Sequence, residues 1–137
     1  MSKVLNIHDF LIENSVEDLQ KEVIISSRLK DYPFTISAVT SEQMENYRKQ
    51  AGANKVNRKG SVDIDMQKLQ RLLILNHTIE PNFKDAEAIK KAEVVTPDQY
   101  MAKVLLAGES QNLVNAITEL SGLQEDMEEL IEEAKNS

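Results

Sequence analysis

A predominantly helical α+β fold is predicted by three features of the 137-residue sequence. Beyond residue 40, apolar residues recur at helical spacing in successive runs, and most of these runs follow a capping residue. One earlier stretch, residues 22–39, alternates with period two about a Lys30-Asp31-Tyr32-Pro33 turn. Isolated glycines and prolines punctuate the runs without forming long irregular loops. The expected architecture is an N-terminal short helix and β-hairpin followed by about five to six helices, packed as one domain over residues 1–137. A chain of this length can bury a core without metal or disulfide support.

Asn6 or Ser2 can cap the first helix, whose Ile7, Phe10 and Leu11 fall at i, i+3 and i+4 before the chain frays near Asn14-Ser15. From Glu22 to Leu29, Val23, Ile25, Ser27 and Leu29 share one face, which predicts a strand. Phe34, Ile36 and Ala38 alternate with Thr35, Ser37 and Val39 in its hairpin partner. A two-stranded hairpin is marginal in water, so helices, another strand or another copy must cover it. The sequence offers no strong third strand.

Ser41 or Thr40 caps the next helix, with Glu42 and Glu45 at its positive end and Met44, Tyr47 and Ala51 on its inner side. Gly52 ends it, and a mobile basic loop is expected over about residues 53–62. Asp65 then caps a leucine-rich helix from Met66 that is apolar nearly all round in its second half, the candidate core helix. A strand over Leu72 to Ile79 is the competing reading, and Pro81-Asn82 breaks the chain. Phe83, Ala86 and Ile89 are expected to face inward around a short helix with acids in front and Lys90 and Lys91 behind. Thr96-Pro97 opens another helix, with Tyr100, Met101, Val104 and Leu105 on one face. Gly108 and Gly122 mark the next stops, between which Leu113, Val114, Ile117 and Leu120 form a stripe. A last helix is predicted to carry Leu123, Met127, Leu130, Ile131 and Ala134, with six acids between residues 125 and 133.

The net charge of −7 is concentrated at one end. Residues 93–137 hold ten acids and two bases, whereas the first 92 residues hold 14 bases and 13 acids. So acidic a segment repels phosphate backbones, which argues against nucleic acid as a partner there. The absence of cysteine removes disulfides and thiolate metal sites and suits a reducing cytoplasm. No signal peptide is expected, and nowhere is there the run of roughly 18 apolar residues that a membrane span needs.

Catalytic chemistry finds little support. Four glycines at 52, 60, 108 and 122 build no phosphate loop or dinucleotide fingerprint. His8 and His77 have no third histidine to complete a metal site, and Asp63-Ile64-Asp65 lacks the glycine and distal glutamate of a calcium loop. Exposed helix carboxylates such as Glu125 and Glu129 need burial or a partner before they acquire useful pKa values. Neither an enzyme nor a cofactor or metal requirement is expected.

Taken in order, several segments resemble the XkdN-like tail assembly chaperones of bacteriophages and prophages. They are Phe10-Leu11 before a hairpin, Thr40-Ser41-Glu42 opening a helix, and Val62-Asp63-Ile64-Asp65 before a leucine-rich helix. Pro81 to Glu87, Leu105 to Glu109, Leu120-Ser121-Gly122 and Glu132 to Asn136 complete the set, while residues 88–95 and the basic loop depart from the pattern. The resemblance implies a non-enzymatic chaperone in the cytoplasm of a bacterial host cell. It would bind the tape measure protein and keep it soluble during tail assembly. The alternatives are a structural tail or virion component, whose hairpin edges pair with neighbouring copies, or a generic protein–protein adaptor. A homo-oligomer is compatible with either.

The resemblance assigns no binding residues, so the predicted partner site follows from amphipathicity. Leu123, Met127, Leu130 and Ile131 would form an apolar stripe, with Glu128 and Glu132 steering basic segments of a helical partner. The same stripe could instead close the protein's own core.

Overall fold

The computed structural model describes residues 6–53, 60 and 64–123. Its sheet has the order β1-β2-β3 and is antiparallel throughout. β1 (Gln20–Val23) pairs with β2 (Phe34–Ser37), with Lys21 opposite Ile36 and Val23 opposite Phe34. β3 (Thr78–Glu80) adds to the other side of β2, and the register slips between Thr35 and Ile36. β2 is therefore the central strand, and its alternating Phe34 and Ile36 are buried.

The sheet departs from the sequence expectation in two places. The first strand lies at Gln20–Val23 rather than 22–29, and Ser27–Leu29 form a 3-10 turn. Alternation persists beyond the strand because Ile25 and Leu29 still reach the core while Ser26 and Arg28 turn to a buried acid. A third strand does exist. At three residues with a bulge opposite, it is too short for a period to show.

The helices follow their caps. α1 (Ile7–Glu13) starts at Asn6, whose side chain accepts from the Asp9 N–H at 2.8 Å. α2 (Ser41–Arg48) opens with a capping box between Thr40 and Gln43. It runs on into a wider turn at Lys49–Ala53 that contains Gly52 at φ 109°. The Asp65 carboxylate accepts from Lys68 N–H at 3.1 Å to start α3 (Met66–His77), so the helical reading of Leu72 to His77 holds. The predicted basic loop lies mostly outside the described residues. After α4 (Ala86–Lys91), the Thr96 and Gln99 capping box opens α5 (Pro97–Val104), and α6 (Ala107–Leu120) follows. Ala86 is exposed, against expectation, because Phe83 fills the core from the turn before the helix. Gly108 is not a stop either. It sits in the first turn of α6, after α5 has ended at Val104.

The core gathers Leu69, Leu73 and Ile74 of α3 and Leu113, Val114 and Ile117 of α6 with Phe34 and Ile36. Phe83 lies between Phe34 and Tyr100, at ring separations of 6.3 and 5.8 Å, within the range of favourable tilted pairs.

Candidate protein-docking site

α6 ends in a Schellman turn. Gly122 adopts φ 76°, its N–H donates to Glu119 C=O at 3.1 Å, and the Leu123 N–H reaches Thr118 C=O at 3.0 Å. The preceding Ser121 hydroxyl donates to Ile117 C=O at 2.7 Å and accepts from the Val39 N–H at 2.8 Å. This one side chain ties the exit of β2 to the end of α6. The capping box at Thr40 then sends α2 away at once, and a shallow groove of about 300 Å³ opens between the two helices. Met44 and Arg48 of α2 line it opposite Ser121 and Leu123, with Glu45 also at its wall.

Leu123 stands 51% exposed at this groove. Of the predicted site residues it alone belongs to the described part. Met127, Glu128, Leu130, Ile131 and Glu132 lie outside the described residues. The groove itself has no simple sequence signature. It arises where Val39, Met44 and Leu123 converge from separate segments, and only the caps at Thr40 and Gly122 announce the helix ends that shape it.

Two buried polar clusters were not foreseen. Glu109 is 1% exposed, and its carboxylate accepts from Arg28 Nε (2.7 Å), Arg28 Nη2 (2.6 Å), Ser26 Oγ (2.6 Å) and the Leu106 N–H (2.8 Å). The Arg28 hydrogen bonds, aided by those from Ser26 and Leu106, overcome the cost of burial and hold its pKa down at about 2. The group is thus an anion with its lone pairs engaged, suited to clamping the Ser27–Leu29 turn onto α6 rather than to exchanging protons. Asn112 reinforces the junction by donating to Ile25 C=O at 2.9 Å.

The other cluster surrounds His77. Tyr47 Oη lies 2.8 Å from Nε2 and Ser37 Oγ 3.2 Å from Nδ1, so a neutral ring can donate from one nitrogen and accept at the other. Burial, with help from the Lys84 charge, pushes the imidazole pKa down, and burial pushes the Tyr47 hydroxyl up. Both effects favour uncharged partners joining α2, α3 and β2. Among the described residues, no group of three or more His, Asp or Glu side chains could hold a metal ion, and no helix is long and apolar enough to cross a membrane.

Comparison with known proteins identifies relatives of the whole chain. Residues 7–135 match the family model described as phage XkdN-like tail assembly chaperone protein. The uncharacterised protein YqbN of Bacillus subtilis (strain 168) is 31% identical, over 98% of this chain and 95% of its own length. The phage-like element PBSX protein XkdN of the same organism is 30% identical, over 96% of each chain. The crystal structure of the protein YqbN superposes with a TM-score of 0.65 at 24% identity, covering 88% of this chain and 98% of that one, a likeness of fold.

Proposed function

Because the chain belongs to the family of XkdN-like phage tail assembly chaperones, we propose that it binds the tape measure protein and keeps it soluble while the tail is assembled. The reading is of a non-enzymatic protein, with residues 1–137 acting as one unit in the cytoplasm of the bacterial host. The observation that carries it is the groove beside Leu123. It is an open, part-apolar channel between α2 and the end of α6, of the kind that accepts one face of an amphipathic helix. By sequence, Met127, Leu130 and Ile131 follow Leu123 at helical spacing with Glu128 and Glu132 among them, and in this reading they would extend the contact and steer a basic segment.

Co-expression with the tape measure protein tests this. The partner should stay in the soluble fraction with the wild-type chain and precipitate without it. Leu123→Asp and Leu130→Asp, each verified as folded by circular dichroism, should return it to the pellet. Undiminished solubility with both variants would remove this surface from the function. A structural tail component is the second reading, favoured by the outer edge of β1, which no other strand pairs among the described residues. It predicts that the chain is retained in mature particles, where a chaperone is absent. Against it, β1 exposes Lys21 and Glu22, charges of the kind that discourage strand pairing.

A further inference from the structure

α1 is a capped helix that the rest of the described protein does not cover. Every residue from 6 to 14 is exposed, and α1 has no buried residue. Ile7, Phe10 and Leu11 nevertheless fall on one face, Ile7 at 65% exposure, and Ile12, Val16 and Leu19 add further exposed apolar side chains. A helix of seven residues is too short to persist in water on its own hydrogen bonds, because nucleation costs more than so few bonds return. Yet the sequence specifies one. Asn6 caps it, and Asp9 stands in the first turn where the helix dipole favours an acid. A cap without a packing surface leaves the apolar face unaccounted for within the described protein.

The charge along this arm is of one sign. Residues 6–19 contain Asp9, Glu13, Glu17 and Asp18 and no lysine or arginine. Anionic membrane surfaces and nucleic acids are repelled by so acidic an arm, and a complementary surface must present apolar residues together with cations. We propose that residues 6–19 form a docking surface for a basic amphipathic helix of a partner protein, distinct from the groove beside Leu123. None of the groove's lining residues comes from this arm. The partner supplies the apolar cover that lets α1 persist, and its lysines or arginines meet Glu13, which flanks Phe10 on the helix, and Asp18 beyond it. This surface stands on the exposure and charge of α1 and not on the tape measure reading, so either can fail alone.

The test uses the full chain and two labelled peptides, a leucine/lysine amphipathic helix and its leucine/glutamate counterpart, followed by fluorescence anisotropy. The lysine peptide should bind, and raising the salt should weaken it. Phe10→Asp/Leu11→Asp should weaken it at least about tenfold, a loss of about 1.4 kcal/mol, while leaving the melting temperature in place because these side chains are not in the core. Val95→Asp, at an even more exposed apolar position outside the arm, should change nothing. Equal binding by the double variant, or equal binding of the glutamate peptide, overturns the proposal. So does a dimer in sedimentation that Phe10→Asp dissolves, which would make a second copy the cover. Recruitment to neutral phosphatidylcholine vesicles through the same residues would reassign the face to lipid, with the same consequence.

Discussion

α1 and α6 announce themselves in the same language, an amphipathic stripe with an acid in the first turn, and the fold treats them oppositely. In α6 the stripe Leu113, Val114 and Ile117 is buried, and even the first-turn acid Glu109 is enclosed. In α1 both the stripe and the acid Asp9 remain in solvent. Periodicity therefore specifies that a face needs cover, and leaves open who supplies it. Truncations should expose the difference. Leu113→Ala leaves a cavity in a closed core and should cost about 3 kcal/mol, whereas Phe10→Ala should stay within about 0.5 kcal/mol. Urea unfolding of both variants measures this, and a comparable loss at Phe10 would mean that α1 packs on the body after all.

The next largest effect separates the two first-turn acids. Glu109→Gln removes the anion that Arg28 and Ser26 are arranged around, and should cost about 2 kcal/mol, moderated because Arg28 is half exposed and can return to water. Asp9→Asn should cost only a few tenths, as for an exposed charge near a helix end. The pH profile carries the same contrast. The folded pKa of Glu109, about 2, lies below its ordinary 4.5, so its stabilisation is complete above 4.5 and is lost as the pH falls from there toward 2. His77 acts higher. Its folded pKa is also lowered, but for a base this means that the unfolded chain takes up the proton first, and stability declines once the pH falls below about 6.5. Urea midpoints across this range should therefore show two acid declines in the wild type, of which Glu109→Gln abolishes only the lower one. An unchanged profile in that variant would show that the clamp contributes nothing to folding.

These contrasts also mark what could be read before the structure. Caps act within three or four residues, and Thr40, Asp65 and Thr96 stand where the sequence puts them. The core stripes of α3 and α6 were legible for the same reason. Glu109 was not, because its partners Ser26 and Arg28 lie 83 and 81 positions away and nothing local distinguishes a clamped acid from a solvated one. β3 escaped because it follows α3 without a break and spans three residues. Of the candidate site, Leu123 could be identified as the first residue of an apolar stripe, but the groove depends on Val39 and Ser121 meeting across the fold.

The smallest predicted effect compares two helix ends of the same geometry. α4 closes like α6, with the Glu93 N–H donating to Lys90 C=O at 3.0 Å and the Val94 N–H to Ile89 C=O at 3.3 Å. The left-handed residue is Gly122 in one and Glu93 in the other, at φ 76° and 61°. Gly122→Ala should therefore destabilise by about 1 kcal/mol, since a Cβ is strained there. The reverse change, Glu93→Gly, should do little, because relief of strain is offset by the greater freedom of glycine in the unfolded chain. Asparagine tolerates this conformation without that entropic cost, and it also removes an acid from the negative end of α4. Glu93→Asn should accordingly stabilise by about 0.5 kcal/mol, read as a small rise in melting temperature. A fall would show that the Glu93 carboxylate makes a contribution that its backbone strain conceals.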